Sequence, residues 1–282
     1  MEQIKTESLL IEDVRKMLKK LFEANNIELS DIDWILASVC ACSKSKLLTL
    51  TRLNKEQYKN LLKIVKQRLK GKPLQYVLGT TNFFGFNFKV NKNVLIPRFD
   101  TEVLVEAVVK AAKIMHKPRI LDLCTGSGCI GISVALLTGA YVLASDISTS
   151  ALDVAKHNAA ALKAQVEFVK SDLFEKISNA NKFDIIVSNP PYIEEGELKW
   201  IDNTVKNYEP HLALIAGQDG LKFHRHIISQ APAFLKQGGL LFLEVGNDQA
   251  IKVNELLREK WADVKFIYDL NSVARVIVAT KK

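Results

Sequence analysis

The tetrapeptide Asn189-Pro190-Pro191-Tyr192 directly follows the apolar run Phe183-Asp184-Ile185-Ile186-Val187-Ser188, which places it at the end of a strand. Its residue types suit one kind of chemistry, alkylation of a planar amide or arylamine nitrogen. Conjugation ties up the lone pair of such a nitrogen, so alkylation needs acceptors that hold the NH2 group while the lone pair faces an electrophile. The Asn189 side-chain oxygen and the Pro190 carbonyl can each accept one N–H. Pro190 and Pro191 hold φ at about −65° and remove donors that would compete for those acceptors. Tyr192 offers a flat face to a planar substrate and to a cationic sulfonium. An Asn-Pro step after a strand is also an ordinary rigid turn, so the decision passes to a cofactor site.

The elements needed to position such a site are legible from residue 99 onward. Strand-like segments near residues 119–123, 141–145, 165–170, 183–188 and 239–245 alternate with amphipathic helical stretches, the pattern of a doubly wound α/β domain with a parallel sheet. Two further strand-like runs, Val264 to Tyr268 and Val273 to Ala279, lie a few residues apart with no helix between them. So short a connection joins antiparallel strands and cannot make a parallel crossover. A seven-stranded Rossmann-like sheet ending in an antiparallel hairpin is the class I methyltransferase arrangement and argues against a plain dinucleotide dehydrogenase.

Within that sheet, Ile120-Leu121-Asp122-Leu123 runs into Cys124-Thr125-Gly126-Ser127-Gly128, a strand, a glycine turn and the start of a helix. Glycines at 126 and 128 let backbone N–H groups approach a ligand closely. Asp146 ends the second strand and suits the two hydroxyls of a ribose. Asp172 ends the third and suits an adenine amino group, with Leu173 or Phe174 as an apolar wall. Either aspartate alone could equally be a helix N-cap. Together with the glycine loop and Asn189, however, they all fall at the carboxyl ends of strands, where ligands of such sheets bind.

Ahead of this domain, residues 1–75 show apolar residues at helical spacing, including Leu18, Leu21 and Phe22, Ile32, Ile35 and Leu36, and Leu61, Leu62 and Val65. Ser30 and Asn54 are expected N-caps, the latter with Gln57 in capping-box position. Residues 76–98 are expected to form a connecting β-hairpin turning at Asn91-Lys92-Asn93. The 282 residues are 48% hydrophobic and 25% charged, with no apolar run of about 18 residues and no basic-then-apolar leader, so a cytoplasmic protein is expected. Of the four cysteines, Cys40-x-Cys42 is not a usual zinc spacing, and no histidine completes a tetrahedral set, so no metal is expected. The net charge of +8 is spread along the chain, which points to a solvated surface and a protein partner more than to an obligatory nucleic acid. No heptad suggests more than a monomer.

These residues bring the chain to a family. It closely resembles the protein-(glutamine-N5) methyltransferases of peptide-chain release factors over nearly its whole length. The matching stretches include Asn189 to Ile193, Gly71 to Gly79, Phe83 to Phe88, Val94-Leu95-Ile96-Pro97-Arg98, Glu209 to Leu214, Asp219-Gly220-Leu221 and Gly238 to Gly246. The resemblance implies methyl transfer from S-adenosyl-L-methionine to the glutamine of the Gly-Gly-Gln loop of release factors. It implies a cofactor loop at Cys124 to Gly128, a ribose ligand at Asp146, an adenine side at Leu173 and a glutamine clamp at Asn189 to Tyr192. Asn-Pro-Pro-Tyr also occurs in enzymes that methylate base amino groups, so an rRNA or DNA methyltransferase is the alternative, and an NAD oxidoreductase or a non-enzymatic adaptor is more distant. Arg98 could meet substrate, the cofactor carboxylate or a salt-bridge partner. Three stretches depart from the pattern: Cys124 stands at a usual glycine, Phe99-Asp100-Thr101-Glu102 replaces Pro-Glu-Thr-Glu, and Asn271 to Arg275 lacks a glycine. Cys124 is expected to keep an ordinary φ, leaving the positive φ to Gly126 or Gly128.

Overall fold

The computed structural model describes residues 8–180, 182–257 and 260–282. The first seven residues, read above for the absence of a leader, lie outside the described residues. The chain divides after Gly79 into two units.

In the first unit, β1 (Ser8–Leu10) leads into α1 (Ile11–Glu23), followed by α2 (Asp31–Val39), α3 (Lys44–Leu47), β2 (Arg52–Asn54), α4 (Lys55–Arg68) and α5 (Leu74–Leu78). The helical spacing packs Leu18, Phe22, Ile35, Leu36, Leu61 and Val65 into one core, each side chain contributing about 1.5–3 kcal/mol by leaving water. Asn54 caps α4 as expected, its Oδ1 accepting from the Gln57 N–H at 2.8 Å while Gln57 Oε1 accepts from the Asn54 N–H at 2.9 Å. Ser30 does not cap α2. It takes helical angles itself (φ −59°, ψ −26°), and its hydroxyl donates to Glu28 instead. The antiparallel pair β1–β2 carries no sequence signal long enough to be read, since each strand has three residues.

The second unit opens with β3 (Thr80–Phe83) and β4 (Phe86–Lys89), then continues through α6 (Asp100–Lys113), β5 (Arg119–Leu123), α7 (Cys129–Thr138), β6 (Tyr141–Asp146), α8 (Thr149–Leu162), β7 (Val166–Lys170), β8 (Phe183–Ser188), α9 (Asn203–Tyr208), α10 (Lys222–Gln230), β9 (Leu235–Glu244), α11 (Ala250–Leu256), β10 (Trp261–Tyr268) and β11 (Ala274–Lys281). The seven-stranded sheet has the order β10-β11-β9-β8-β5-β6-β7. Strands β5 to β9 run parallel, and β11 pairs antiparallel with both β9 and β10. Chain order reverses between β5 and β8, so the ends of these two strands open the crevice in which ligands of such sheets bind. Alternate residues of each strand point to opposite faces. Ile120, Val142, Ile185 and Phe242 therefore pack with α6, α7 and α8 residues on one side, while Leu121, Ile186, Leu241 and Ile277 pack with α10 and α11 residues on the other.

The hairpin corrects the sequence reading. Its two-residue turn is Phe84-Gly85, with φ of 49° and 80°, and Val94-Leu95-Ile96 is not a strand. The register is decided by burial: Phe83 and Phe88 are fully buried against the α6 face, their rings edge to face at 6.0 Å. Asn91 instead closes a local turn, its side chain accepting from the Asn93 N–H at 2.9 Å. The division after Gly79 also differs from limits at 75 and 98. Helix α5 spans residue 75, Leu74 and Leu78 pack in the first unit's core, and the hairpin packs in the second unit's.

Candidate active site

A cavity of about 380 Å³ lies at the carboxyl ends of β5, β6, β7 and β8, and every strand end singled out above contributes to it. Cys124, Thr125, Gly126, Ser127, Asp146, Asp172, Leu173, Asn189 and Pro191 line it. Gly128, Pro190 and Tyr192 do not.

The glycine loop is built on Asp122, a residue of central β5 that sequence reasoning passed over. Its side chain is fully buried beneath the loop, where Oδ2 accepts from the Thr125 hydroxyl at 2.6 Å and from the Gly131 N–H at 2.9 Å. A Cβ on Gly131 would lie 2.8 Å from that oxygen, so only glycine lets α7 start this close to the carboxylate. Burial pushes the Asp122 carboxyl up to about 7, against the two hydrogen bonds and with help from the charge of Asp146. Oδ1 has no partner. The available signal was an acid inside an apolar strand, since a charge there is buried and must be doing something.

Tying the loop down to Asp122 also overturns the expectation for Cys124. The chain turns sharply at once after β5, and Cys124 itself takes φ of 58°, the left-handed region that glycine occupies without cost. Gly126 and Gly128 take positive φ as well. Burial and the nearby Asp146 hold the Cys124 thiol far above its ordinary pKa, so it is a neutral wall. Gly128 serves packing: an added Cβ would lie 2.7 Å from Ile132 Cδ1 and 3.1 Å from the Ala155 Cβ.

Asp146 is not the cap of α8. Ser148 is, accepting from the Ala151 N–H at 3.2 Å. Each Asp146 oxygen accepts one backbone N–H, from Gly126 and from Ser148, both at 2.9 Å. A carboxylate has about four acceptor sites, so two remain for hydroxyls in the cavity. Burial raises its pKa, the backbone bonds opposing.

At the end of β8, the Ser188 hydroxyl donates to the Leu123 carbonyl at 2.9 Å and locks the strand to β5. The Asn189 Nδ2 donates to Thr101 Oγ1 at 3.1 Å, which spends the amide's nitrogen end on the protein and leaves its oxygen end for the cavity. Pro190 is buried, and the Tyr192 backbone is held by Gln249, whose Nε2 donates to the Tyr192 carbonyl at 2.7 Å. Burial and the charge of Glu244 hold the Tyr192 phenol well above its ordinary range, so it stays protonated.

The remaining wall comes from segments whose roles the sequence did not disclose. Residues 92–95, 97 and 98 contribute, as do 210, 212 and 213, and Glu209 ties the first segment down. Its buried carboxylate accepts from the Ile96 N–H at 3.1 Å and pairs with Arg98 Nη2 at 2.6 Å. Arg98 is thus a salt-bridge residue of this wall. Asn158 ties the hairpin to the glycine loop, donating to the Lys89 and Ser127 carbonyls and accepting from the Lys89 N–H. Among the described residues no group of three or more His, Cys, Asp or Glu side chains could hold a metal ion, and no helix is long and apolar enough to cross a membrane.

Residues 98–213 match the family described as the methyltransferase small domain, and residues 13–79 match the PrmC N-terminal domain. A release factor glutamine methyltransferase of Clostridium acetobutylicum is 40% identical over 247 residues, 84% of this chain and 87% of that one. The chain belongs to the release factor glutamine methyltransferase family. Another of its members, from Clostridium botulinum, is 43% identical over 235 residues, 80% of this chain and 81% of that one. The fold is that of class I S-adenosylmethionine-dependent methyltransferases. It is shared with the T. thermophilus 16S rRNA N2 G1207 methyltransferase solved in complex with AdoMet and guanosine, at 21% identity and a TM-score of 0.53 over 72% of this chain and 50% of that one.

S-adenosylmethionine is accordingly the cofactor, and the cavity fits it. Its volume falls within the roughly 300–1,000 Å³ of small-molecule sites. Nothing lies within 4 Å of where a Gly126 Cβ would be, so the loop backbone faces open space. Asp146, with two acceptor positions left by its backbone bonds, could hold ribose hydroxyls, and Asp172 with Leu173 could take adenine, since all three line the cavity.

Proposed function

We propose that this methyltransferase modifies the side-chain amide nitrogen of the glutamine in the Gly-Gly-Gln loop of class 1 peptide-chain release factors, and that Asn189 to Tyr192 is the clamp that holds it. The observation that carries this reading is the placement of Asn189. It lines the same cavity as Asp146, and its NH2 group is donated to Thr101, which leaves Oδ1 to accept from a substrate.

S-adenosylmethionine supplies an electrophilic methyl group and leaves as S-adenosylhomocysteine. The rest of the task is positioning. Asn189 Oδ1 accepts one N–H of the glutamine amide and the Pro190 carbonyl accepts the other, turning the nitrogen lone pair toward the cofactor end of the cavity. Partial positive charge grows on that nitrogen as the new N–C bond forms, and Asn189 meets it electrostatically. The nitrogen proton becomes acidic only then and is lost to water, so no strong base is needed beforehand. Pro191 keeps the clamp rigid, and the neutral Tyr192 flanks the flat amide. The first unit, through Gly79, recognises the release factor. The enzyme works as a monomer in the cytoplasm, where release factors act, without an obligatory nucleic acid.

The test is mass spectrometry of tryptic peptides after incubation of a release factor with enzyme and cofactor. A gain of one methyl on the loop glutamine is expected. An unmodified glutamine, with methyl transfer to rRNA or DNA instead, overturns the reading.

A further inference from the structure

Glu244 ends β9 and comes next after Leu243, which lies opposite Ser188, so it sits beside Asn189 at the mouth of β8. It does not line the cavity, yet its carboxyl is almost wholly buried and its Oε2 has no hydrogen-bond partner. Such a group is costly to keep unless it acts on its neighbours. Its neighbours are the parts of the clamp: the Thr101 hydroxyl and the Asn189 side chain lie close enough to favour its ionised form, and Thr101 accepts from Asn189.

An amide can sit in its socket either way round. An ionised carboxylate accepts and cannot donate. Behind Asn189, it therefore draws the NH2 end and the Thr101 proton inward and repels Oδ1, which leaves Oδ1 turned to the cavity. The geometry points to Glu244 as a positioning residue that, with Thr101, sets which end of the Asn189 amide meets the substrate. This inference rests on the clamp assigned above and adds what orients it. Burial pushes the Glu244 carboxyl up to about 7, with Asp100 of α6 raising it further and Arg275 of β11 opposing. Also near enough to feel its charge are the Tyr192 phenol and the Cys129 thiol, both held protonated, and the His224 ring of α10 hydrogen-bonds its backbone carbonyl. Once protonated, Glu244 can donate to Oδ1, and the orientation loses its bias.

The experiment compares Glu244→Gln, Thr101→Val, Thr101→Ser and Asn189→Ala in steady-state release-factor methylation from about pH 6 to about pH 9. Glu244→Gln is expected to lower kcat about tenfold or more while KM for S-adenosylmethionine changes by less than about threefold, because an orienting contact is lost and no cofactor contact is. Wild-type kcat rises with pH through a limb that Glu244→Gln lacks. Thr101→Val shows a similar loss, and Thr101→Ser, which keeps the hydroxyl, recovers most of it. If Asn189→Ala is crippled but Glu244→Gln and Thr101→Val keep wild-type kcat and pH profile, the inference fails and the clamp stands. If Asn189→Ala is also unaffected, the clamp itself fails.

Discussion

Replacing Asp122 by Asn should change how stability depends on pH, by an amount that follows from its burial. Its carboxyl titrates at about 7 in the folded chain against an ordinary value of 3.8. The folded state therefore holds a proton that the unfolded state releases. The stability this gives is fully present below about pH 4, begins to fall as the unfolded state ionises, and is all lost above about pH 7. Between about pH 5 and about pH 8 the loss spans about two pKa units, which at 1.36 kcal/mol per unit is about 3 kcal/mol. Asn keeps an oxygen for the Thr125 hydroxyl and the Gly131 N–H and does not titrate in this range. Glu244 titrates near the same pH but does so equally in both proteins and cancels in the difference. Urea unfolding of wild type and Asp122→Asn, followed by circular dichroism at both pH values, should show the variant gaining about 3 kcal/mol on wild type as pH rises. In thermal melts this is roughly 5–10 °C. Parallel pH curves would show that Asp122 is not held protonated and would refute the argument.

Asn189→Ala should lower kcat about 10²-fold, the scale of losing one preorganised hydrogen-bond partner, while titration calorimetry finds S-adenosylhomocysteine affinity little changed. Asp146→Ala should do the reverse in calorimetry, weakening S-adenosylhomocysteine by about 10–100-fold through loss of charge-assisted bonds of about 1.5–3 kcal/mol. Unaltered affinity would remove Asp146 from the cofactor site. Cys124→Gly should stabilise the fold by about 0.5–1 kcal/mol, since relief of about 1–2 kcal/mol of left-handed strain exceeds the extra chain entropy of glycine. A lower melting temperature would contradict it.

Much of the fold was written in local patterns. Apolar runs at 119–123 and 183–188, alternation with helices, and the short link between the last two strands suffice for a parallel sheet with an antiparallel end, because period and loop length act within a few residues of chain. The capping box of Asn54 and Gln57 is legible for the same reason. Strand ends also declare themselves, which is why the sequence alone places Asp146, Asp172 and Asn189 at one mouth.

What only the tertiary structure decided is how buried polar groups find partners. The Asn189–Thr101 bond joins residues 88 apart, and the Glu209 contacts with Ile96 and Arg98 join residues 113 and 111 apart. Nothing within the reach of a helical turn signals them. The φ of Cys124 is likewise a consequence of pulling a loop down onto Asp122, and the hairpin turn moved to Phe84-Gly85 because Phe83 and Phe88 had a core to enter. Periodicity says which face is apolar. Which buried donor meets which acceptor depends on strand order, and that exists only once the sheet is assembled.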